Sequence, residues 1–275
     1  CVVRTDFSET GRFVCSHPLI NAIQDATRRS YRGNYVNGYP TDCPHREKNG
    51  WTADAHLAAE LAQYNVQNTA AYEKWIYDLI DEQQPDGNLP GIVPTSGWGY
   101  EWGNGPAWDS ALFIIPWTLY VYQGDAKILA DVYPAMVRYL QYLEAHEKEG
   151  LVDHGLGDWV PAKTKTPVAV TSTGYYFQDL MIAAQCADIL GKPADKTNLL
   201  ARAQRIHQTV QKRLYTGNGI YSSGSQTAQA CVLHQGLVTA ETRPLAGNQL
   251  IQKVIDNNGC LDFGILGAKY TFRAL

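Results

Sequence analysis

The sequence lacks several features that would place it in other classes of protein. Its 275 residues contain no apolar run long enough to span a bilayer, so a membrane protein is not expected. Lys and Arg number 23 against 27 Asp and Glu, for a net charge of -4. With no basic stripe to neutralise phosphates, nucleic acid is not an expected partner. No linker or low-complexity tract is visible, and a hydrophobic content of 45% predicts a large core.

The six cysteines are scattered and form no C-x-x-C pair, which argues against a zinc or redox site. We expect mostly buried free thiols, with a disulfide left open, and neither metal nor cofactor is predicted. No signal peptide is visible, but the chain starts with Cys1 rather than Met. The sequence is therefore compatible with a secreted, a periplasmic or a cytoplasmic location, and it predicts no oligomeric state.

Apolar residues recur at helical spacing nearly throughout and predict about ten helices. Amphipathic helices with an apolar stripe are predicted to begin near residues 18 and 52, and a buried helix is predicted over 109–122. Further helices are predicted over 175–190, 199–214, 226–237, 245–255 and 265–275. Strand signals are weak and limited to Val2-Val3 and Phe13-Val14. Helix–loop–helix units recur at roughly 40–50 residues, which indicates an array of helical pairs, closed or stacked on itself.

The loops are of two kinds. Plain turns lie at 124–125 and 191–193, whereas the long loops 37–51, 84–108 and 153–171 are rich in Asp, Trp, Gly and Pro. A barrel of paired helices would place the rich loops at one end. Because long ordered loops are usually functional, we expect the site there.

The densest segment, residues 39–54, contains the carboxylates Asp42, Glu47 and Asp54 together with Arg46 and Trp51. Carboxylates accept hydrogen bonds from adjacent hydroxyls, and Arg donates to ring or hydroxyl oxygens, so the set suits a polyhydroxylated substrate. Neighbouring acids also raise one pKa, which keeps a general acid protonated. Helix capping explains Asp54 alone equally well, but it does not explain the whole cluster.

Three further loops each offer an acid or a tryptophan: 84–94, 98–109 and 157–159. Tryptophan faces pack on the apolar faces of sugar rings, although most large aromatics are core fillers. Trp98, Trp102 and Trp108 lie in a Gly-rich segment, which favours the sugar-binding interpretation. Together the four loops predict the rim of a saccharide pocket.

The segment from Asp42 to Glu47, Asp-Cys-Pro-His-Arg-Glu, followed by Trp51 and Asp54, resembles the signature of glycoside hydrolase family 78, the α-L-rhamnosidases. Further segments resemble the family in family order: Gln84-Pro-Asp-Gly, Val93-Pro94, Pro106 to Asp109, Tyr120 with Gly124-Asp125, Gly157-Asp-Trp159, Gln226-Thr-Ala228 and Phe263 to Gly267. The resemblance implies an all-α (α/α)6 barrel, or toroid. It also implies removal of terminal α-L-rhamnose from glycosides or polysaccharides, with inversion and without a cofactor.

The resemblance also assigns roles residue by residue. Glu47 would be the general acid that protonates the leaving oxygen. The substrate-binding residues would be Asp42, Arg46 and Asp54, which hold hydroxyls, and Trp51, Trp108 and Trp159, which pack on the ring. Asp109 and Asp158 would support the site from behind.

The resemblance implies a division of the chain as well. Residues 1–15 would be a linker into the barrel, and residues 16–275 the (α/α)6 catalytic domain, truncated before its last helices. In the family the general base is a Glu beyond the segment that corresponds to Phe263–Gly267. We therefore expect the base to lie beyond Leu275 and the isolated 275 residues to have little or no activity.

Three alternatives remain open on the residues alone. The first is another (α/α)6 glycosidase, acting on a glucoside or a trehalose-like sugar, because fold does not determine function. The second is a catalytically degenerate carbohydrate-binding relative, which would keep the tryptophans and lose the acid. The third is a helical-repeat scaffold, which would lack a pocket of Trp and Asp.

Overall fold

The computed structural model describes residues 5–36, 38–95 and 97–275. Within them the helices are α1 (Pro18–Gly33), α2 (Thr52–Asn65), α3 (Thr69–Asp81), α4 (Pro106–Asp109), α5 (Ala111–Gln123), α6 (Lys127–His146), α7 (Val168–Ile189), α8 (Pro193–Arg213), α9 (Gln226–His234), α10 (Thr242–Asp256) and α11 (Ile265–Ala274). Two short antiparallel hairpins pair β1 (Tyr35–Val36) with β2 (Tyr39–Pro40) and β3 (Tyr215–Gly217) with β4 (Ile220–Tyr221).

The helices fall into two layers that differ in composition. α2, α5, α7, α9 and α11 form the inner layer, and α5 and α7 are apolar or small on nearly every face because both of their sides are covered. The outer helices, such as α8, are amphipathic and bury one stripe, which here consists of Leu199, Ala203, Ile206 and Val210. Burial of these stripes against the inner layer supplies most of the stability of the helices.

The inner helices follow one another around a ring. α2 packs against α5, α5 against α7, α7 against α9, and α9 against α11. α11 faces α2 through long side chains: Arg273 pairs with Glu60, and Lys269 Nζ lies 3.5 Å from the carbonyl oxygen of His56. The architecture is the predicted all-α (α/α)6 toroid. Apart from the single turn α4, the described residues supply ten helices, which is the number that the periodicity of the sequence predicted.

The long loops all precede inner helices. Residues 41–51 lead into α2, 82–105 into α4 and α5, 147–167 into α7, and 257–264 into α11. The turns at Gly124 and Gly191 are short and take left-handed backbone angles, with φ of 77° and 68°. The inner helices therefore present their N-terminal ends, the positive ends of their dipoles, to the loop-rich end of the toroid.

Some local predictions were wrong. Phe13 and Val14 form no strand and are exposed, and the pairing in this part of the chain is an isolated bridge between Glu9 and Val66. Val2-Val3 lies outside the described residues. The helix predicted over 109–122 is divided at Ser110 into α4 and α5. α9 ends at His234 rather than 237, and α10 begins at Thr242 rather than 245.

The described cysteines are all free, but only Cys186 and Cys231 are buried, so the expectation of mostly buried thiols was wrong. Cys43, in the densest motif, is half-buried and has a role in the site described below. Among the described helices, none combines the length and apolar character that crossing a membrane requires.

Candidate active site

A cavity of about 380 Å³ opens at the loop-rich end of the toroid. All seven residues that the sequence predicts for the site line it: Asp42, Arg46, Glu47, Trp51, Asp54, Trp108 and Trp159. They come from two loops and two helices, which span residues 42 to 159 of the chain. The structure therefore brings together what the sequence presents as separate motifs.

Residues 42–49 form a compact loop that aims its acids into the cavity. The two carboxylate oxygens of Asp42 accept from the backbone N–H of Asn49 at 3.0 Å and from the Cys43 thiol at 2.8 Å. The Cys43 sulfur also accepts from the backbone N–H of Glu47 at 3.4 Å. Because one thiol contacts both acidic residues, it couples the position of Asp42 to that of Glu47.

The Glu47 carboxylate is held from two sides. Arg46 Nη2 donates to Oε1 at 2.7 Å, and Trp51 Nε1 donates to Oε2 at 3.0 Å. The Glu47 side chain is 30% exposed and the Arg46 side chain is 73% exposed. The buried Trp51 is therefore the rigid anchor, and Arg46 is free to turn toward a ligand.

Asp54 lies in the first turn of α2, three residues after Trp51, where the helix dipole favours an anion. Its pKa is nevertheless raised from 3.8 to about 6; burial is the main cause, and the negative charge of Asp42 and then that of Glu47 add to it. The sequence predicts that the neighbouring acids raise the pKa of one member of the cluster. In the structure that member is Asp54.

Backbone contacts fix the start of α2 against the next loop. Trp51 forms an isolated antiparallel bridge with Ile92, and Val93 N donates to Gly50 O at 2.8 Å. A Cβ at Gly50 would lie 2.0 Å from Val93 O, so only glycine permits this approach. The packing holds Trp51, and through it Glu47, at the cavity wall.

Tryptophans form most of the apolar wall. Trp98 and Trp102 are stacked with ring centres 5.2 Å apart, and each contacts Trp51. Both are nearly half exposed at the rim, whereas Trp108 is buried and its Nε1 has no hydrogen-bond partner among the described residues. Flat exposed rings beside carboxylates are typical of carbohydrate sites.

The roles that the resemblance assigned omit six lining residues, of which Trp98 and Trp102 were already sugar-binding candidates: Trp98, Trp102, Cys43, His45, Leu156 and Ile265. The Gly-rich context singles out Trp98 and Trp102, and Cys43 and His45 lie inside the acidic motif, so their signals were present in the sequence. Leu156 and Ile265 carry no local signal, because an apolar residue beside a site looks like any core residue.

Asp158 connects two walls of the cavity. One of its oxygens accepts from the backbone N–H groups of Leu266 and Gly267 at 3.0 and 3.1 Å. The other accepts from Gly264 N at 2.8 Å and from the Thr227 hydroxyl at 2.5 Å. A carboxylate at the start of α11 suits both the unpaired N–H groups and the dipole there. Next to it, Trp159 O accepts from Ile265 N at 3.0 Å.

Asp109 lies behind the wall rather than in it. Its Oδ2 accepts from Gly105 N and from the Tyr139 hydroxyl, both at 2.9 Å. Burial raises the pKa of Asp109 well above its ordinary value, although both hydrogen bonds oppose the increase. The residue thereby supports the turn that carries Trp108, as the resemblance implied. No group of metal-ligand side chains occurs among residues 5–36, 38–95 and 97–275.

Comparison with known proteins agrees with this geometry. A toroid of helical hairpins with acids and tryptophans at one end is the architecture of the (α/α)6 glycoside hydrolases. The sequence model described as the bacterial alpha-L-rhamnosidase six-hairpin glycosidase domain matches residues 8–275. The chain belongs to this family.

Relatives of known structure are close in fold. An alpha-L-rhamnosidase of Streptomyces avermitilis is 33% identical over 271 residues, which covers 97% of this chain and 26% of the relative. The crystal structure of the Streptomyces avermitilis enzyme complexed with L-rhamnose superposes with a TM-score of 0.93 at 30% identity, over 98% of this chain and 26% of that one. That of Aspergillus terreus alpha-L-rhamnosidase gives 0.93 at 27% identity, over 100% and 33%. The chain thus spans about a quarter to a third of the length of these relatives.

Proposed function

We propose that the protein is a glycoside hydrolase that removes terminal α-L-rhamnose from glycosides or polysaccharides by an inverting mechanism. The observation that carries the proposal is the cavity in which all seven predicted residues meet, with Glu47 held by Trp51 and Arg46. Family membership and a relative of known structure complexed with L-rhamnose support the choice of sugar. In this proposal residues 16–275 form the catalytic domain, and residues 1–15 connect to it.

In the proposed mechanism Glu47 is the general acid. It transfers a proton to the glycosidic oxygen as the bond to the anomeric carbon breaks. In the same step a water molecule attacks the anomeric carbon from the opposite face, and a second carboxylate acts as the base that takes its proton. No residue of this chain is assigned as that base.

The other lining residues bind the sugar. Asp42 and Asp54 accept hydrogen bonds from ring hydroxyls, and Arg46 donates to a hydroxyl or ring oxygen. Trp51, Trp108 and Trp159 pack on the apolar face of the ring and on its methyl group. The methyl group in place of a hydroxymethyl suits a wall of indole rings, because no hydroxyl has to be desolvated there.

The test is hydrolysis of a panel of aryl glycosides by the full-length protein and its Glu47→Gln variant. A positioned acid contributes about 10²–10⁴-fold, so the variant should lose a large factor, and least with good leaving groups. Glu73→Gln is a matched control, because Glu73 lies on α3 and does not line the cavity.

Each alternative makes a different forecast for this panel. Cleavage of a glucoside instead of the rhamnoside would favour another (α/α)6 glycosidase. Rhamnose binding without turnover would favour a carbohydrate-binding relative. Full activity of the Glu47→Gln variant on poor leaving groups would contradict the assignment of the acid.

A further inference from the structure

A second cavity, of about 220 Å³, lies inside the ring of inner helices, and each of α2, α5, α7, α9 and α11 contributes to its lining. On α11 the candidate active site is lined by Ile265, whereas this cavity is lined by Lys269, Tyr270 and Arg273. Because an α-helix rises about 1.5 Å per residue, these residues lie about 6–12 Å farther from the loop-rich end. We call this space the axial cavity.

Lys269 brings a positive charge into the axial cavity. Its Nζ lies 3.5 Å from the backbone oxygens of His56 and Leu57 and forms no ion pair with any residue that the structure describes. The neighbouring carboxylate, that of Glu60, pairs with Arg273 instead. Burial and then the charge of Arg273 lower the pKa of Lys269 to about 8, although Glu60 opposes the decrease. At pH 7 the ammonium is therefore still charged, and within the described chain it has no counter-ion.

Two histidines of the axial cavity respond to the same positive charge. Burial is the main cause that lowers the pKa of His56 to about 3, and Lys269 lowers it further. Burial also lowers the pKa of His234 to about 4, with Arg273 and then Lys269 adding to the decrease and Glu60 opposing it. Both rings are neutral at pH 7. An anion inside the cavity would be attracted by Lys269 and would offset the cost of burying its charge.

The rest of the lining combines an apolar wall with an unused acceptor. Ile114, Trp117 and Ile182 form apolar parts of the lining. His56 is 1% exposed, and its Nε2 lies 2.9 Å from the carbonyl oxygen of Ala107. Because a carbonyl only accepts, Nε2 is the donor and Nδ1 is left as an acceptor, which is buried and has no partner among the described residues. Buried polar atoms in folded proteins are normally paired, so this one points to a ligand or to water.

We propose that the axial cavity is a binding site for a small organic acid that carries one carboxylate on an apolar body. The carboxylate pairs with Lys269, and the body packs against Ile114, Trp117 and Ile182. One negative charge is sufficient, because Arg273 already has Glu60 as its partner. The volume is below the range of about 300–1,000 Å³ that is typical of small-molecule sites, which suits a small acid and not an oligosaccharide. The site goes beyond the proposed function and does not depend on it.

The test is isothermal titration of the full-length protein with benzoate, and with benzamide as the neutral analogue of the same shape. We expect benzoate to bind with a Kd of about 1 mM or lower, which is a modest affinity for a ligand of about nine non-hydrogen atoms. Benzamide should bind at least about tenfold more weakly, because it cannot pair with the ammonium. Equal affinity for the two compounds, or no binding of benzoate at about 20 mM, would overturn the proposal.

Lys269→Met keeps an unbranched side chain and removes the charge. It should weaken benzoate binding by about tenfold or more, as loss of a hydrogen bond between two charged groups predicts. Lys212→Met is the matched control, because Lys212 is an exposed residue of α8 that does not line the axial cavity. In the wild type the affinity should also fall about tenfold between pH 7 and pH 9.5, as Lys269 loses its proton, and in Lys269→Met it should not. An unchanged Kd in Lys269→Met would refute the site.

Two further variants locate the bound acid. Glu60→Gln removes a negative charge from the lining without removing Lys269, so benzoate should bind about threefold to tenfold more tightly. Arg46→Met changes the cation of the candidate active site and should leave the Kd for benzoate as it is in the wild type. Weaker binding in Arg46→Met with normal binding in Lys269→Met would place the acid in the candidate active site and contradict the proposal.

Discussion

The indole N–H of Trp51 donates a hydrogen bond to Oε2 of Glu47 at 3.0 Å. Trp51 is the residue before α2 and is 8% exposed, whereas Glu47 belongs to the preceding loop. A side chain fixed by the fold thus orients the proposed acid. This relationship explains why the motif needs a Trp four residues after the Glu, beyond any contact that the indole makes with a sugar.

Trp51→Phe keeps an aromatic wall but removes the N–H that, among the residues the structure describes, donates to Oε2 of Glu47. We expect kcat to fall by on the order of tenfold for substrates with poor leaving groups and much less for activated aryl rhamnosides, because acid assistance matters less there. The measurement is kcat across a series of leaving groups. Trp98→Phe, at the rim, is the control and should change KM without changing the dependence on leaving group. Equal losses of Trp51→Phe across the series would show that the indole does not position the acid.

The raised pKa of Asp54 predicts opposite effects on stability and binding. The folded state holds the Asp54 proton up to about pH 6 and the unfolded chain only to about 3.8, so ionisation of Asp54 destabilises the folded state as pH rises through this window. A shift of this size corresponds to at most about 3 kcal/mol, and partial exposure reduces it. Asp54→Asn should therefore stabilise the protein by about 1–2 kcal/mol at pH 7 and not at pH 3.5.

The same variant should bind substrate more weakly at pH 7, because an amide offers fewer acceptors than a carboxylate. Urea unfolding at the two pH values and KM at pH 7 measure the two effects. A variant that is less stable than the wild type at pH 7 would disprove the argument from burial.

Asp158 is expected to be essential for the structure of the site rather than for its chemistry. Asp158→Asn replaces one of the two accepting oxygens by an NH2 group, which is a donor and faces N–H or O–H donors. The variant also loses the negative charge at the start of α11, so we expect a loss of about 2–4 kcal/mol in the free energy of unfolding. The measurement is urea unfolding, with Asp81→Asn as the control, since Asp81 is an exposed residue of α3 whose side chain forms no hydrogen bond or ion pair with any other described residue. If both variants unfold alike, the four hydrogen bonds to Asp158 are not needed.

Cys43 gives a test of positioning by a thiol. Cys43→Ala removes the donor to Asp42, and Cys43→Ser restores one. We expect the Ala variant to raise KM for an aryl rhamnoside by about tenfold, as loss of a hydrogen bond to a charged group predicts, with a smaller change in kcat. The Ser variant should recover most of the loss. Cys260→Ala, an exposed thiol far along the chain, should have no effect; identical KM values for the Ala and Ser variants would contradict the role.

The sequence alone predicted the helical class and the positions of the long loops, because helical periodicity and turn residues are local signals. Boundaries were less accurate. The break at Ser110 and the ends of α9 and α10 depend on where each helix meets its neighbours. The two short hairpins were not predicted, since strands of two or three residues leave almost no alternating pattern to detect.

For the site, the sequence determined the acidic motif and its neighbours: Glu47, Asp42, Arg46, Trp51 and Asp54 lie within one stretch of the chain. Only the tertiary structure decided that Trp108 and Trp159 meet this stretch and that Asp158 holds α11. It also decided that the raised pKa falls on Asp54. The reason is physical. Proximity across the ring of helices, burial and the resulting pKa depend on packing between elements far apart in the chain, and no local pattern encodes them.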